Sequence, residues 1–117
     1  MPKNLDKRQA GPRAKVELDI DLSTYGKYYL TKLENVSIGG AFVRTKQLHP
    51  IGTAVKMRFR LPGDGAPIEA DGQVVWTYRQ TGQNEPNSSG MGIKFTGIEE
   101  TDRERIAKFV EHETRSL

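Results

Sequence analysis

Apolar and polar residues alternate with a period of two along much of this chain. The clearest run is residues 15–22, where the even positions are apolar: Val16, Leu18, Ile20 and Leu22. Such alternation is typical of a strand with one buried face. The alternation recurs at residues 55–61. A run rich in aromatic and β-branched residues predicts a strand at 27–36, and short or interrupted apolar runs predict strands at 41–43, 68–78 and 91–95. Six short strands separated by turns, with no helices between them, favour an antiparallel barrel or sandwich.

The pattern changes to helical spacing near the end of the chain. Thr101 and Glu104 have the spacing of a capping box. Apolar residues then follow at intervals of three and four, at Ile106, Phe109 and Val110. These features predict a helix at residues 101–114. Because so short a helix is unstable alone in water, we expect it to pack against the strands.

The first twelve residues differ from the rest, since they contain almost no large apolar side chain and end in the breaker pair Gly11-Pro12. We expect a flexible basic arm at residues 1–12 and one domain at residues 13–117, which is an ordinary domain size. The net charge is only +3, so nonspecific binding of DNA or RNA is not expected. The positive charge is concentrated in residues 1–15. This segment has one acid, Asp6, and five bases: Lys3, Lys7, Arg8, Arg13 and Lys15.

Several classes of function are disfavoured by what the sequence lacks. The chain has no cysteine, which excludes disulfides, thiolate metal sites and cysteine nucleophiles. Its first residues lack the apolar stretch of a signal peptide, and no apolar run approaches the roughly 20 residues of a spanning helix. We therefore expect a soluble cytoplasmic protein that does not bind membranes. His49 and His112 have no partner at metal or triad spacing and are expected at the surface. We expect neither an enzyme nor a protein with a metal or cofactor.

The stretch at residues 35–40 is the most informative in the chain, because it places an amide, a hydroxyl and two glycines at the end of the second predicted strand. Asn35 can pair with a purine edge, and Ser37 can donate to a phosphate oxygen. Gly39 and Gly40 let backbone amides approach a ligand without a Cβ clash. These residues predict a site for a small anion.

Cations upstream of this stretch suit the same ligand. An arginine donates two parallel hydrogen bonds to guanine O6 and N7 or to phosphate oxygens, and its flat face stacks on bases. Arg8 and Arg13 offer that geometry, and Lys7 offers a point charge.

This combination resembles the PilZ domain, a bacterial family that binds cyclic di-GMP through an arginine-bearing N-terminal segment and a D/N-x-S-x-x-G stretch. Asn35, Ser37 and Gly40 match the second pattern. The family usually spaces its arginines R-x-x-x-R, whereas Arg8 and Arg13 enclose four residues. The resemblance extends to residues 72–76, to residues 90–95 and to the closing helix.

The resemblance implies a six-stranded antiparallel β-barrel with a C-terminal helix, and cyclic di-GMP as the ligand. It gives ligand-binding roles to matched positions, and Gly39 joins them through its backbone: Arg8, Arg13, Asn35, Ser37, Gly39 and Gly40. Lys7, Met91 and Gly92 are further candidate contacts. Trp76 is expected to pack against the barrel rather than touch the ligand.

Three functional hypotheses follow. The first is a receptor, a monomer or weak dimer, whose arm orders on cyclic di-GMP and signals to a protein partner. The second is a degenerate PilZ domain that works as a nucleotide-independent protein-interaction adaptor, which the extra residue between the arginines favours. The third is an oligonucleotide-binding barrel, for which Tyr25, Tyr28 and Tyr29 are the only exposed-aromatic candidates.

Overall fold

Six antiparallel strands and one helix make up the computed structural model, which describes residues 13–63, 65–79 and 89–115. The strands are β1 (Ala14–Thr24), β2 (Lys27–Val36), β3 (Gly40–Arg44), β4 (Ala54–Phe59), β5 (Ile68–Tyr78) and β6 (Gly90–Ile98). The helix, α1, spans Glu100–Arg115. The strands close into a barrel in the order β1-β2-β3-β6-β5-β4, with β4 pairing back to β1. The predicted fold class is confirmed.

The alternation read from the sequence describes the barrel wall well. In β4, for example, Val55, Met57 and Phe59 are buried while the residues between them are exposed. The inward residues of all six strands form one core together with part of the helix. Burial of alternate side chains inside a closed barrel therefore explains why period two dominates the chain.

The strand bounds differ from the prediction mainly in β6. This strand continues to Ile98, because Gly97 and Ile98 pair with Asp71 and Ala70 of β5. The register between these two strands shifts next to Gly72, where the sequence predicted a bulge, and Thr96 is left without a partner there. A Cβ at Gly72 would lie 2.5 Å from the Ile93 Cγ2 atom, so the glycine also permits close packing.

The helix packs on the core as predicted, through Ile106 and Val110, which are buried, and Phe109, which is partly buried. Its start differs from the prediction: α1 begins at Glu100, and the Arg103 amide donates to the Glu99 carbonyl at 2.9 Å. Thr101 therefore lies inside the first turn and is not the cap. None of the helical segments that the structure describes is both long enough and apolar enough to cross a lipid bilayer.

Candidate ligand-binding site

Residues 37–39 form the corner that connects β2 to β3, and Ser37 organises it. Its amide donates to the Gly40 carbonyl at 2.9 Å. Its hydroxyl donates to the same carbonyl and accepts from the Gly39 amide, both at 3.3 Å. Ser37 is only 2% exposed. In this structure its hydroxyl hydrogen is therefore used to shape the corner.

The corner is fastened to β6 on its other side. The Phe95 amide donates to the Gly39 carbonyl at 2.9 Å. A Cβ at Gly40 would lie 2.2 Å from the backbone oxygen of Ile93, which no side chain tolerates. Gly40 is thus required for β3 and β6 to pair. The motif predicts that Gly40 lets a ligand approach the backbone, and the structure adds a packing reason for this glycine.

Arg13, the residue before β1, lies beside the corner. Its Nη1 donates to the Oδ1 atom of Asn35 at 3.3 Å, across 22 positions of sequence. Lys15 pairs with Asn35 in the β1–β2 ladder, which places the start of β1 next to the end of β2. Glu34 is an extra residue between the pairs Leu33–Val43 and Asn35–Phe42. Such a bulge redirects neighbouring side chains, and here it lies at the predicted site.

Two aromatic rings form a wall next to the corner. Phe42 and Trp76 stack with ring centroids 5.2 Å apart and an interplanar angle of 18°. Both are half-buried and neither belongs to the hydrophobic core. Val75 is extra between the pairs Val74–Ile93 and Trp76–Gly92, which is a second bulge at the site.

Glycines of β6 make room for these rings. A Cβ at Gly92 would lie 2.1 Å from the Trp76 Nε1 atom, and one at Gly90 would lie 2.3 Å from the Phe42 Cζ atom. Sequence reasoning gave Trp76 a packing role and missed that it also borders the site. The alternation of Gly90 and Gly92 in one strand was the available signal, because glycine in a strand marks the close approach of another group.

The corner and the aromatic wall enclose an open cavity of about 280 Å³. Of the predicted site residues it brings together Arg13, Ser37, Gly39, Gly40 and Gly92, and Asn35 adjoins it through Arg13. Phe42 and Trp76 of the aromatic wall line it, and so do two further cations, Lys94 and Arg103. The remaining lining residues are apolar: Ala41, Val75, Ile93 and Phe95.

The described lining of the cavity carries positive charge and no carboxylate. Its cations are Arg13, Lys94 and Arg103. Lys94 makes no ion pair with a residue that the structure describes. Arg103 contacts Glu100 weakly, with Nε 3.7 Å from Oε1, and its Nη1 lies 3.5 Å from the Ile38 carbonyl oxygen. A concave surface with uncompensated cations attracts anions.

Other predicted site residues are placed elsewhere. The Met91 side chain is fully buried in the core, where its sulfur accepts from the His49 amide at 3.3 Å, and it does not line the cavity. Lys7 and Arg8 lie outside the described residues. His112 is exposed, as expected. His49, which was expected at the surface, is half-buried, because its ring contacts those of Tyr25 and Tyr29. Its Nε2 atom is buried and has no hydrogen-bond partner among the described residues.

A larger groove, of about 850 Å³, runs over β1, β4 and β5. Its two cations are paired: Lys56 lies 2.9 Å from Asp71 and Arg58 lies 3.4 Å from Glu69. The hydrogen bond to Asp71 and the charge of its carboxylate raise the pKa of Lys56. Further acids line the groove, at Asp21, Glu99 and Asp102. This surface repels polyanions.

The groove bears on the oligonucleotide hypothesis through Tyr28, which is 83% exposed and lines it. Tyr29 points the other way and packs on His49. The tyrosines therefore do not share a basic face of the kind that single-stranded nucleic acid requires.

Comparison with known proteins agrees with this geometry. A family model, the PilZ domain, matches residues 7–112. The chain belongs to the PilZ domain family. The match begins at Lys7, so the family pattern includes the basic segment that precedes the barrel. No curated protein matches the chain by sequence.

Solved structures share the fold. The Bacillus subtilis inhibitor of motility MotI/DgrA superimposes with a TM-score of 0.78 at 17% identity, covering 90% of this chain and 50% of that one. The PilZ domain of YcgR from Escherichia coli, solved with c-di-GMP, gives 0.67 at 12% identity and covers 89% of each chain. PlzA from Borreliella burgdorferi, in complex with c-di-GMP, gives 0.52 at 15% identity, covering 94% of this chain and 38% of that one. The chain thus spans about half the length of the first of these proteins.

Proposed function

We propose that this protein is a receptor for cyclic di-GMP and binds it in the cavity beside the β2–β3 corner. The observation that carries the proposal is the composition of the cavity lining. Among the described residues, the lining contains three cations and no carboxylate, and it includes residues of the motif that the PilZ family uses for this ligand. Two structural neighbours, the YcgR domain and PlzA, were solved with this nucleotide. Their shared fold supports the same ligand for this chain.

The proposed roles follow from side-chain chemistry. Arg13 uses its planar fork on a guanine edge or a phosphate, as only arginine can. Asn35 orients Arg13 through their hydrogen bond and offers its amide to the ligand. Ser37, Gly39 and Gly40 hold the corner open so that backbone groups and the nucleotide come close. Phe42 and Trp76 provide a flat apolar surface next to the guanine.

The cavity, about 280 Å³, lies at the lower end of the roughly 300–1,000 Å³ typical of ligand pockets. A dinucleotide with two guanines and two phosphates extends beyond it. We propose that residues 1–12 cover the remainder, with Arg8 and Lys7 contacting a phosphate or guanine from outside. Ordering of the arm would then change a surface that a protein partner recognises. A structural neighbour, MotI/DgrA, is named as an inhibitor of motility, and we propose a regulatory output of this general kind.

Titration calorimetry with two ligands of equal charge tests the receptor hypothesis. We expect cyclic di-GMP to bind in the micromolar range or tighter and cyclic di-AMP to bind much more weakly, because adenine presents an N6 donor where guanine presents the O6 acceptor. Equal affinities would indicate simple charge attraction. The absence of heat at micromolar concentrations of protein and cyclic di-GMP would contradict the proposal.

Limited trypsin digestion tests the arm. Cleavage after Lys7 and Arg8 should slow when cyclic di-GMP is present, because a bound arm is inaccessible to the protease. Cleavage after Lys27, at the start of β2, serves as the control and should not change. Equal cleavage of the arm with and without nucleotide, together with a partner that binds regardless of nucleotide, would support the adaptor hypothesis.

A further inference from the structure

Arg103 occupies an unusual place for a cation. It lies in the first turn of α1, where the helix dipole presents its positive end and carboxylates are the favoured side chains. Glu100 and Asp102 follow that preference, and Arg103 does not. Its side chain lines the cavity beside the β2–β3 corner. A cation at this position is best compensated by an anion that enters the cavity.

The contacts that Arg103 makes within the protein are long. Its Nη1 is 3.5 Å from the Ile38 carbonyl oxygen, at the limit of a hydrogen bond. Its Nε is 3.7 Å from the Glu100 carboxylate, in a pair whose arginine side chain is 44% exposed. Exposed pairs of this kind contribute little to stability. The guanidinium is thus held near the cavity with most of its donors available.

Arg105, two positions further along the helix, shows the contrast. It donates to Asp102 at 2.7 Å and to the Ala66 carbonyl at 2.5 Å, and so it ties the helix to the loop between β4 and β5. The two arginines have the same chemistry and different surroundings. Arg105 is held by short hydrogen bonds, whereas Arg103 lines the cavity and makes only long contacts.

We propose that Arg103 is a ligand-binding residue, which donates to a phosphate of the cyclic dinucleotide, and that Glu100 competes with that phosphate for it. This inference rests on the proposed function. The same phosphate would be contacted from the barrel side by the corner, so the ligand would connect the first turn of α1 to residues 37–40. Nucleotide binding would then exchange the Glu100 contact for a stronger charge-assisted one.

Calorimetric titration of cyclic di-GMP into Arg103→Ala, Arg103→Lys and Lys108→Ala tests the contact. Loss of one charge-assisted contact should weaken binding about tenfold in Arg103→Ala. Arg103→Lys should recover only part of this loss, because lysine keeps the charge without the fork. Lys108 is exposed on the same helix and does not line the cavity, so Lys108→Ala should bind like the wild type. Equal affinities for Arg103→Ala and Lys108→Ala would overturn the proposal.

Glu100→Gln gives a readout of opposite sign. Removal of the competing carboxylate should tighten binding about threefold, and this gain should vanish when Arg103→Ala is also present. Glu104→Gln makes the same charge change one turn further along the helix and should leave the affinity unchanged. If Glu100→Gln tightened binding equally in the Arg103→Ala background, the effect would be long-range charge and Arg103 would not be the mediator.

The two hypotheses fail in different ways. If the wild-type protein does not bind cyclic di-GMP, the proposed function is wrong and the role of Arg103 falls with it. If the wild type binds and Arg13→Ala weakens binding, but Arg103→Ala and Glu100→Gln have no effect, the receptor proposal stands and the role of Arg103 alone is wrong. Thermal unfolding of each variant should match the wild type, because both side chains are exposed.

Discussion

The cavity beside the β2–β3 corner and the groove over β1, β4 and β5 differ in how their charges are compensated. The groove is the larger, about 850 Å³ against about 280 Å³. Its cations, Lys56 and Arg58, are each paired with a carboxylate. In the cavity, Arg13 is bound to a neutral amide and Arg103 only weakly to an acid. Uncompensated charge, and not volume, therefore distinguishes the cavity that we propose as the ligand site.

The two regions also differ in backbone access. At the cavity, Gly40 and Gly92 allow β3 and the Trp76 ring to approach β6 closely. At the groove, Gly97 has only the flexible Asp71 side chain near its missing Cβ, at 3.2 Å. The regions meet at the first turn of α1, where Asp102 lines the groove and its neighbour Arg103 lines the cavity. Two consecutive residues in one helical turn thus border a region of negative charge and a region of positive charge.

Gly40→Ala should destabilise the protein more than any other substitution considered below. Its Cβ would collide with the Ile93 carbonyl, which is backbone and cannot move aside, so we expect the free energy of unfolding to fall by about 2–3 kcal/mol. Chemical denaturation measures this loss. Gly65→Ala is the matched control, because nothing lies within 4 Å of the added Cβ. A Gly40→Ala protein as stable as Gly65→Ala would show that β3 and β6 pair differently.

Arg13→Ala should show that the cavity, and not the groove, binds cyclic di-GMP. Loss of the fork should weaken cyclic di-GMP binding by about 1–3 kcal/mol, the value of a bidentate guanine contact. Arg58→Ala removes the same charge from the groove, where Glu69 already neutralises it, and should leave affinity unchanged. Titration calorimetry compares them. Equal losses in both variants would mean that the ligand responds to overall charge rather than to the cavity.

Gly92→Ala should displace Trp76 with a smaller cost. The added Cβ would lie 2.1 Å from the Nε1 atom of the ring, and a side chain can move where a backbone cannot, so we expect about 1 kcal/mol of lost stability. Trp76 is the only tryptophan, so its fluorescence should shift to longer wavelength as the ring becomes exposed. Gly97→Ala, in the same strand but lining the groove, should leave the emission unchanged. An unshifted spectrum in Gly92→Ala would contradict the packing described here.

Lys56→Met should have the smallest effect, visible in its pH dependence. The folded-state pKa of Lys56 is raised by Asp71, so the pair contributes stability below the ordinary lysine pKa, about 10.4, and loses it as the pH rises through the higher folded value. The difference in unfolding free energy between Lys56→Met and wild type should therefore shrink at high pH. Lys27→Met, at an exposed lysine without an ion pair to any described residue, should show a difference that does not vary with pH. A constant difference for Lys56→Met would show that Asp71 does not bind it in solution.

Local pattern was sufficient for most of the fold. Period-two alternation placed β1 and β4, because the two faces of a strand in a barrel wall contact core and solvent in turn. Aromatic and β-branched content, short apolar runs and turn residues placed the other four strands. The bounds of β2 and β5 agree with the prediction residue for residue. The apolar positions of α1 were found for the same reason, since helical spacing puts Ile106 and Val110 on one face. The predicted helix start was wrong by one residue. The first helical hydrogen bond runs from the Arg103 amide to the Glu99 carbonyl, so the Thr101 side chain does not cap the helix.

The candidate site divides along the same line. Sequence alone predicted Asn35, Ser37, Gly39 and Gly40 as candidate residues, because a short motif on one turn needs only neighbouring residues. It also predicted Arg13 and Gly92, which line the same cavity. Tertiary structure decided the rest. Trp76 borders the cavity because a bulge at Val75 and the missing Cβ of Gly92 turn its ring there. Arg103 reaches the Ile38 carbonyl across 65 positions of sequence only because the helix docks on a closed barrel. Contacts of that separation depend on how strands pair and helices pack, and no local pattern encodes them.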